Sequence, residues 1–166
     1  MKKNFRPFII DVEASGFGQL SYPIEIGLAM EPDHRYCKLI LPTRKWTHWD
    51  RKAEAVHKIP RKVLYRHGSP PKKVAEELNR LLDGSVVYTD GWSVDKPWVT
   101  RLFEAAGLRR QFSVSPLERI LSEDQMEIWH ETQTGIIEKF SLTRHRASTD
   151  AFIVQETYVM TLARTA

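Results

Sequence analysis

The sequence has a single cysteine, Cys37, among 166 residues, so no intramolecular disulfide can staple it. Cys37 lies in an alternating stretch and reads as a small apolar strand residue rather than a reactive thiol. Long apolar runs are also missing. The first, Phe8-Ile9-Ile10, is bounded by Pro7 and Asp11. Even with Lys2 and Lys3 before it, it is far too short for a secretion signal or a membrane span. Internal repeats, low-complexity tracts and long linkers are absent too. These absences predict a single domain over residues 1–166, cytoplasmic, with no membrane partner.

What is present supports a packed interior. Hydrophobic residues make up 42% and charged residues 28%, with five Trp, seven Phe and five Tyr. A chain of this length can bury roughly 68–70% of its unfolded surface. The formal charge of +4 says little alone. It gains weight if several carboxylates gather in one place, because the remaining surface is then more basic and suits a polyanion bound in a salt-sensitive way.

Residues 7–12 form an apolar run suited to a buried strand, residues 22–30 read as a second strand, and residues 36–41 alternate as a third that Pro42 stops. Ser15-Gly16-Phe17-Gly18 and Glu31-Pro32-Asp33 supply turns between them, which predicts an antiparallel meander. Helices are predicted over 50–58 and over 72–82 behind Pro70-Pro71, then a strand over 85–89. Further helices are predicted over 95–106 and 116–134, with a last one from near Thr149. Strands followed by alternating helix and strand predict a mixed α/β fold, with the site at strand ends.

Asp11-Val12-Glu13 stands where the first strand runs out. Strand residues two apart share a face, so the two carboxylates project side by side and repel unless a cation joins them. Mg²⁺ or Mn²⁺ prefers such hard oxygen donors. Asp95 follows a later strand and also suits a helix N-terminus. His145-Arg146-Ala147-Ser148-Thr149-Asp150 precedes the last helix, where Asp150 again favours the helix dipole. Each motif alone fits an ordinary surface or capping role.

Together, in this order, they resemble the DnaQ-like (DEDDh) 3′–5′ exonucleases. The resemblance rests on Phe8-Ile9-Ile10-Asp11-Val12-Glu13-Ala14-Ser15-Gly16, on residues 86–95 ending in Asp95, and on His145 to Ala151. Tyr22-Pro23-Ile24-Glu25-Ile26-Gly27 resembles the family's second strand, and Ala55-Val56-His57-Lys58-Ile59 its His-Gly-Ile segment without the glycine. The second motif also departs from the family's His-Asn-x-x-Phe-Asp, with Thr89-Asp90 and Val94-Asp95 in its place. Asp90 adds negative charge near the expected metals.

The resemblance implies a ribonuclease H-like fold: a mixed five-stranded sheet, three antiparallel N-terminal strands plus parallel ones, with helices on both faces. It implies a hydrolase that removes nucleoside monophosphates from the 3′ end of single-stranded DNA or RNA, acting as a monomer or homodimer. Its cofactors would be two divalent ions, Mg²⁺ or Mn²⁺, roughly 3.5–4 Å apart. By resemblance Asp11 bridges both, Glu13 and Asp150 complete one site, Asp95 supports the other, and His145 is the general base on the attacking water. The same resemblance sets Ala14, Ser15, Gly16 and Phe17 against the terminal nucleotide.

Phe17 and Trp92 either stack on a base or pack in the interior, and His57 either bounds the nucleotide pocket or is structural. Arg146 and Arg144 flank His145 and are placed to meet the scissile phosphate. Basic residues crowd positions 44–73 and form either a solvated face or a phosphate track. A binding module without catalysis is the rival reading, opposed by the presence of all five chemical residues. A phosphatase or nucleotidase shares the two-metal logic without needing a strand-binding surface.

Overall fold

A computed structural model describes residues 5–166, so Lys2 and Lys3 lie outside the described residues. The chain runs β1 (Phe8–Ala14), β2 (Pro23–Ala29), β3 (Arg35–Leu39), α1 (Arg51–His57), α2 (Arg61–His67), α3 (Pro71–Leu82), β4 (Val86–Thr89) and α4 (Trp92–Ala106). It continues through β5 (Ser113–Pro116), a 3₁₀ turn at Leu117–Arg119, α5 (Glu123–Glu127), α6 (Trp129–Lys139) and α7 (Ala147–Thr165). The sheet order is β3-β2-β1-β4-β5. β1 pairs antiparallel with β2 and parallel with β4, so it is the central strand at which the sheet changes sense. β2 and β3 are antiparallel and β4 and β5 parallel.

The pleat of β1 divides the interior. Ile10, Val12 and Ala14 join Ile24, Ile26 and Leu28 of β2 in the larger core, against Val74, Leu78 and Leu82 of α3 and Val99, Leu102 and Phe103 of α4. Ile9 turns the other way with Ala29, against Ala151, Val154 and Tyr158 of α7. Helices therefore cover both faces, as the resemblance implied. All seven residues of β2 are buried, Glu25 and Gly27 included, although they alternate with Ile24, Ile26 and Leu28. Among the described residues no helix is long and apolar enough to cross a membrane.

Several expectations are corrected. The helix expected over 116–134 is replaced by edge strand β5, the 3₁₀ turn and two helices. Pro116 ends β5 at the sheet edge, where its missing N–H is tolerated. Ser122 then starts α5 with a capping box closed by Gln125, and the chain breaks again at Ile128. Helix α2 was not anticipated; it begins behind Pro60. Helices α4 and α7 begin at Trp92 and Ala147, a few residues before the expected positions. Cys37 lies on β3 as expected, yet is exposed.

Candidate active site

The register of β1 and β2 sets the frame. Asp11 stands opposite Gly27 and Glu13 opposite Glu25, so all four share one face, and the register shifts between Glu13 and Ala14 as the strand ends. Two glutamates directly opposite would repel, and Glu25 is fully buried. Arg146 resolves the conflict. Its Nε donates to Glu25 Oε1 and Oε2, each at 3.1 Å, and its Nη2 donates to Oε2 at 2.6 Å. The Ala147 amide, in the first turn of α7, adds a bond of 2.8 Å to Oε1.

Gly27 does the rest. A Cβ on it would lie 2.1 Å from the Ala147 carbonyl carbon and the Ser148 nitrogen. The missing side chain lets the first turn of α7 rest directly on β2. This seat carries His145 and Asp150 to the carboxylates of β1. The Asp150 Oδ2 accepts from the His145 amide at 2.9 Å, and His145 takes a left-handed φ of 68° on the exposed approach to the helix. One ligand atom each from Glu13, His145 and Asp150 lies within 4.8 Å of the others.

From the other side, β4 and α4 supply Asp95. It is buried in the first turn of α4 and accepts a hydrogen bond from the Thr89 hydroxyl, which in turn accepts from the Gly91 amide at 2.8 Å. A cavity of about 540 Å³ collects these groups: Asp11, Glu13, Asp95, His145 and Asp150 all line it, with Ala14, Gly16, Phe17 and His57. Ser15, Trp92 and Arg146 do not. Ser15 is buried, with its hydroxyl 2.9 Å from His48 Nδ1. Trp92 faces an adjoining cavity. Arg146, expected at the scissile phosphate, commits its guanidinium to Glu25.

The electrostatics are those of an acidic cluster short of positive charge. Burial, then Asp95, Glu13, Asp150 and Asp90, raise the Asp11 carboxyl well above its usual range. Burial lifts Glu13 to about 7, with Asp150 and Glu25 adding to it. Burial likewise lifts Asp95 to about 7, only partly offset by the Thr89 hydrogen bond. Burial also raises Asp150, whose Oδ1 is buried without a hydrogen-bond partner among the described residues and has the Arg144 guanidinium Nε 3.9 Å away. A buried carboxylate oxygen with no hydrogen-bond donor, beside mutually repelling carboxylates, is the donor set that a hard divalent cation satisfies. These residues fit such an ion.

His57 is 3% exposed and Nδ1 accepts from the Ile59 amide at 3.1 Å. Burial lowers its pKa, and with Nδ1 accepting, the ring's proton sits on Nε2, a buried atom without a partner among the described residues. Lys58, at the position of the family's glycine, takes φ 56° and caps α1 through its N–H to Glu54. Sequence reasoning assigned no role to Glu25, Gly27 or Thr89. A glutamate and a glycine alternating with Ile24, Ile26 and Leu28 were the available signal.

No family model and no curated protein sequence matches this chain. Solved structures do. Exonuclease I from Methylocaldum szegediense superposes with a TM-score of 0.64 at 12% identity, over 95% of this chain and 40% of that one. E. coli exonuclease I in complex with a dT13 oligonucleotide gives 0.71 at 10% identity, over 95% and 41%. A product-bound exonuclease I gives 0.66 at 10% identity, over 97% and 44%. At such identities the likeness establishes a ribonuclease H-like fold. The chain spans about two fifths of the length of these exonuclease chains.

Proposed function

We propose that these residues form one 3′–5′ exonuclease unit of the DnaQ-like DEDDh type, hydrolysing single-stranded nucleic acid from its 3′ end. The observation that carries this reading is the convergence of Asp11, Glu13, Asp95, His145 and Asp150 in one cavity from three separate segments. The solved exonuclease I in complex with an oligonucleotide supports the choice of substrate. Two divalent ions, Mg²⁺ or Mn²⁺, would be held by Asp11, Glu13, Asp95 and Asp150, and when bound would supply an activated water and neutralise charge on the scissile phosphate.

The chain's own residues do the rest. His145, exposed on its loop, takes the proton from the attacking water. The water oxygen bonds to phosphorus and the bond to the preceding 3′ oxygen breaks. That oxygen leaves protonated, and a nucleoside 5′-monophosphate is released. Glu25 and Gly27 hold the start of α7 so that His145 and Asp150 meet β1.

The test is incubation of 5′-labelled DNA and RNA strands with Mg²⁺, Mn²⁺ or EDTA, beside Asp11→Asn. A ladder shortening from the 3′ end, dependent on metal and lost in the variant, is expected. Shortening that survives EDTA, or no shortening of either strand, refutes the proposal.

A further inference from the structure

The catalytic cavity holds the end of a strand and leaves open where the rest of it runs. Two neighbouring cavities give a direction. One of about 780 Å³ lies between the Gly18–Ser21 loop and α4, and shares Trp98 with the catalytic cavity. The next, of about 730 Å³, shares Leu20, Arg101 and Glu104 with it and continues to Arg44 and Lys45. Each cavity thus adjoins the next, the first two across Trp98 and the last two across Leu20, Arg101 and Glu104. A cavity of about 580 Å³ on the α1 side, lined by Arg51 and Lys58, shares no lining residue with the catalytic one.

The groove has the chemistry of a single-strand track. Trp92 is 38% exposed at the groove wall, and its indole N–H donates to the Val114 carbonyl at 3.3 Å, which fixes the ring. The Lys96 ammonium lies 4.6 Å from that ring's centroid. Leu20 is 74% exposed across from it. Arg101 is held in place by the carbonyls of Gln19 and Ser21. Lys96, Arg101, Arg44 and Lys45 face one carboxylate, Glu104. Fixed aromatic surface beside a row of cations is what unpaired bases and their phosphates bind.

We propose that the strand entering the catalytic cavity lies along the α4 groove, its bases against Trp92 and Leu20 and its phosphates along Lys96, Arg101, Arg44 and Lys45. This rests on the nuclease reading for its 3′ end, but the groove is tested apart from cleavage.

Fluorescein-labelled dT12 and rU12 are titrated in EDTA and followed by anisotropy. The combined variant Lys96→Ala, Arg44→Ala, Lys45→Ala should weaken binding roughly ten- to hundredfold at 0.1 M salt and flatten the log–log salt slope by about 2. Trp92→Ala should weaken it at least about fivefold. Arg51→Ala with Lys58→Ala should stay within about twofold. Circular dichroism checks that each variant folds. A larger loss in the Arg51/Lys58 pair than in the groove variant, or wild-type affinity in the latter, overturns the groove. Cleavage of a labelled trinucleotide by the unaltered protein with Mn²⁺ is measured separately. Its failure counts against the nuclease reading while the binding comparison still decides the groove. Stronger dependence on Lys96, Arg44 and Lys45 with one sugar identifies the strand type the groove prefers.

Discussion

Replacing Arg146 with alanine tests whether the acidic cluster depends on a clamp that never touches it. Glu25 is fully buried and the arginine half exposed, at 0% and 50% of side-chain surface. Arg146→Ala leaves that carboxylate with the Ala147 amide as its remaining donor. Breaking a buried pair from one side costs about 3–5 kcal/mol. Because this arginine is half solvated, about 2–4 kcal/mol is expected. For a domain of this size that lowers Tm by roughly 5–12 °C. Glu25→Gln keeps a carbonyl for Ala147 and should cost about 1–2 kcal/mol. With the buried charge gone, Arg146→Ala combined with Glu25→Gln should be no less stable than Arg146→Ala alone.

The assay is urea unfolding of metal-free protein followed by tryptophan fluorescence. Turnover should fall with stability, because the clamp seats the turn that carries His145 and Asp150. The reasoning is refuted if Arg146→Ala stays within about 0.5 kcal/mol of wild type, or if the two effects simply add. An Arg146→Ala that raises KM without loss of stability would instead put the guanidinium on a phosphate.

Gly27→Ala should cost at least about 1–3 kcal/mol by forcing the first turn of α7 off β2, and should lower activity further than its stability loss explains; thermal melts paired with turnover decide this. Lys58→Gly should stabilise by about 0.5–1 kcal/mol, read as a higher urea midpoint, because the left-handed cap of α1 suits glycine. Glu13 and Asp95 are raised to about 7, so the folded metal-free protein holds protons that the unfolded chain releases near pH 4. Their contribution is therefore full below pH 4 and is lost as pH rises through about 7, amounting to several kcal/mol. Tm in EDTA should fall across that window, and added Mn²⁺ should restore more at pH 8 than at pH 5.

The sequence carried the strands of the meander well, because apolar alternation and turn residues agree there. It carried the short elements poorly. Strand β5 has four residues, one of them Pro116, and its single fully buried side chain, Val114, leaves no periodicity to read. Helix α2 is hidden behind Pro60 for the same want of length. At the site, Asp11, Glu13, Asp95, His145 and Asp150 were legible by type and order, and the fold brings them together. Arg146 was not. Beside a candidate base it looked like a phosphate ligand, and its partner Glu25 became visible only when strand pairing set it opposite Glu13. Ion pairs between distant segments leave no local trace in a chain.

The cluster draws Asp11 and Glu13 from the first strand and Asp150 from the last helix. On a ribosome, then, the acidic centre cannot assemble until Asp150 has emerged. Any product of premature termination before Asp150 lacks one of the carboxylates that line the cavity. The same order of emergence leaves Ile9 and Ala29 uncovered until α7 arrives. In a nascent chain, the docking of α7 therefore covers this apolar strip and brings Asp150 to β1 together.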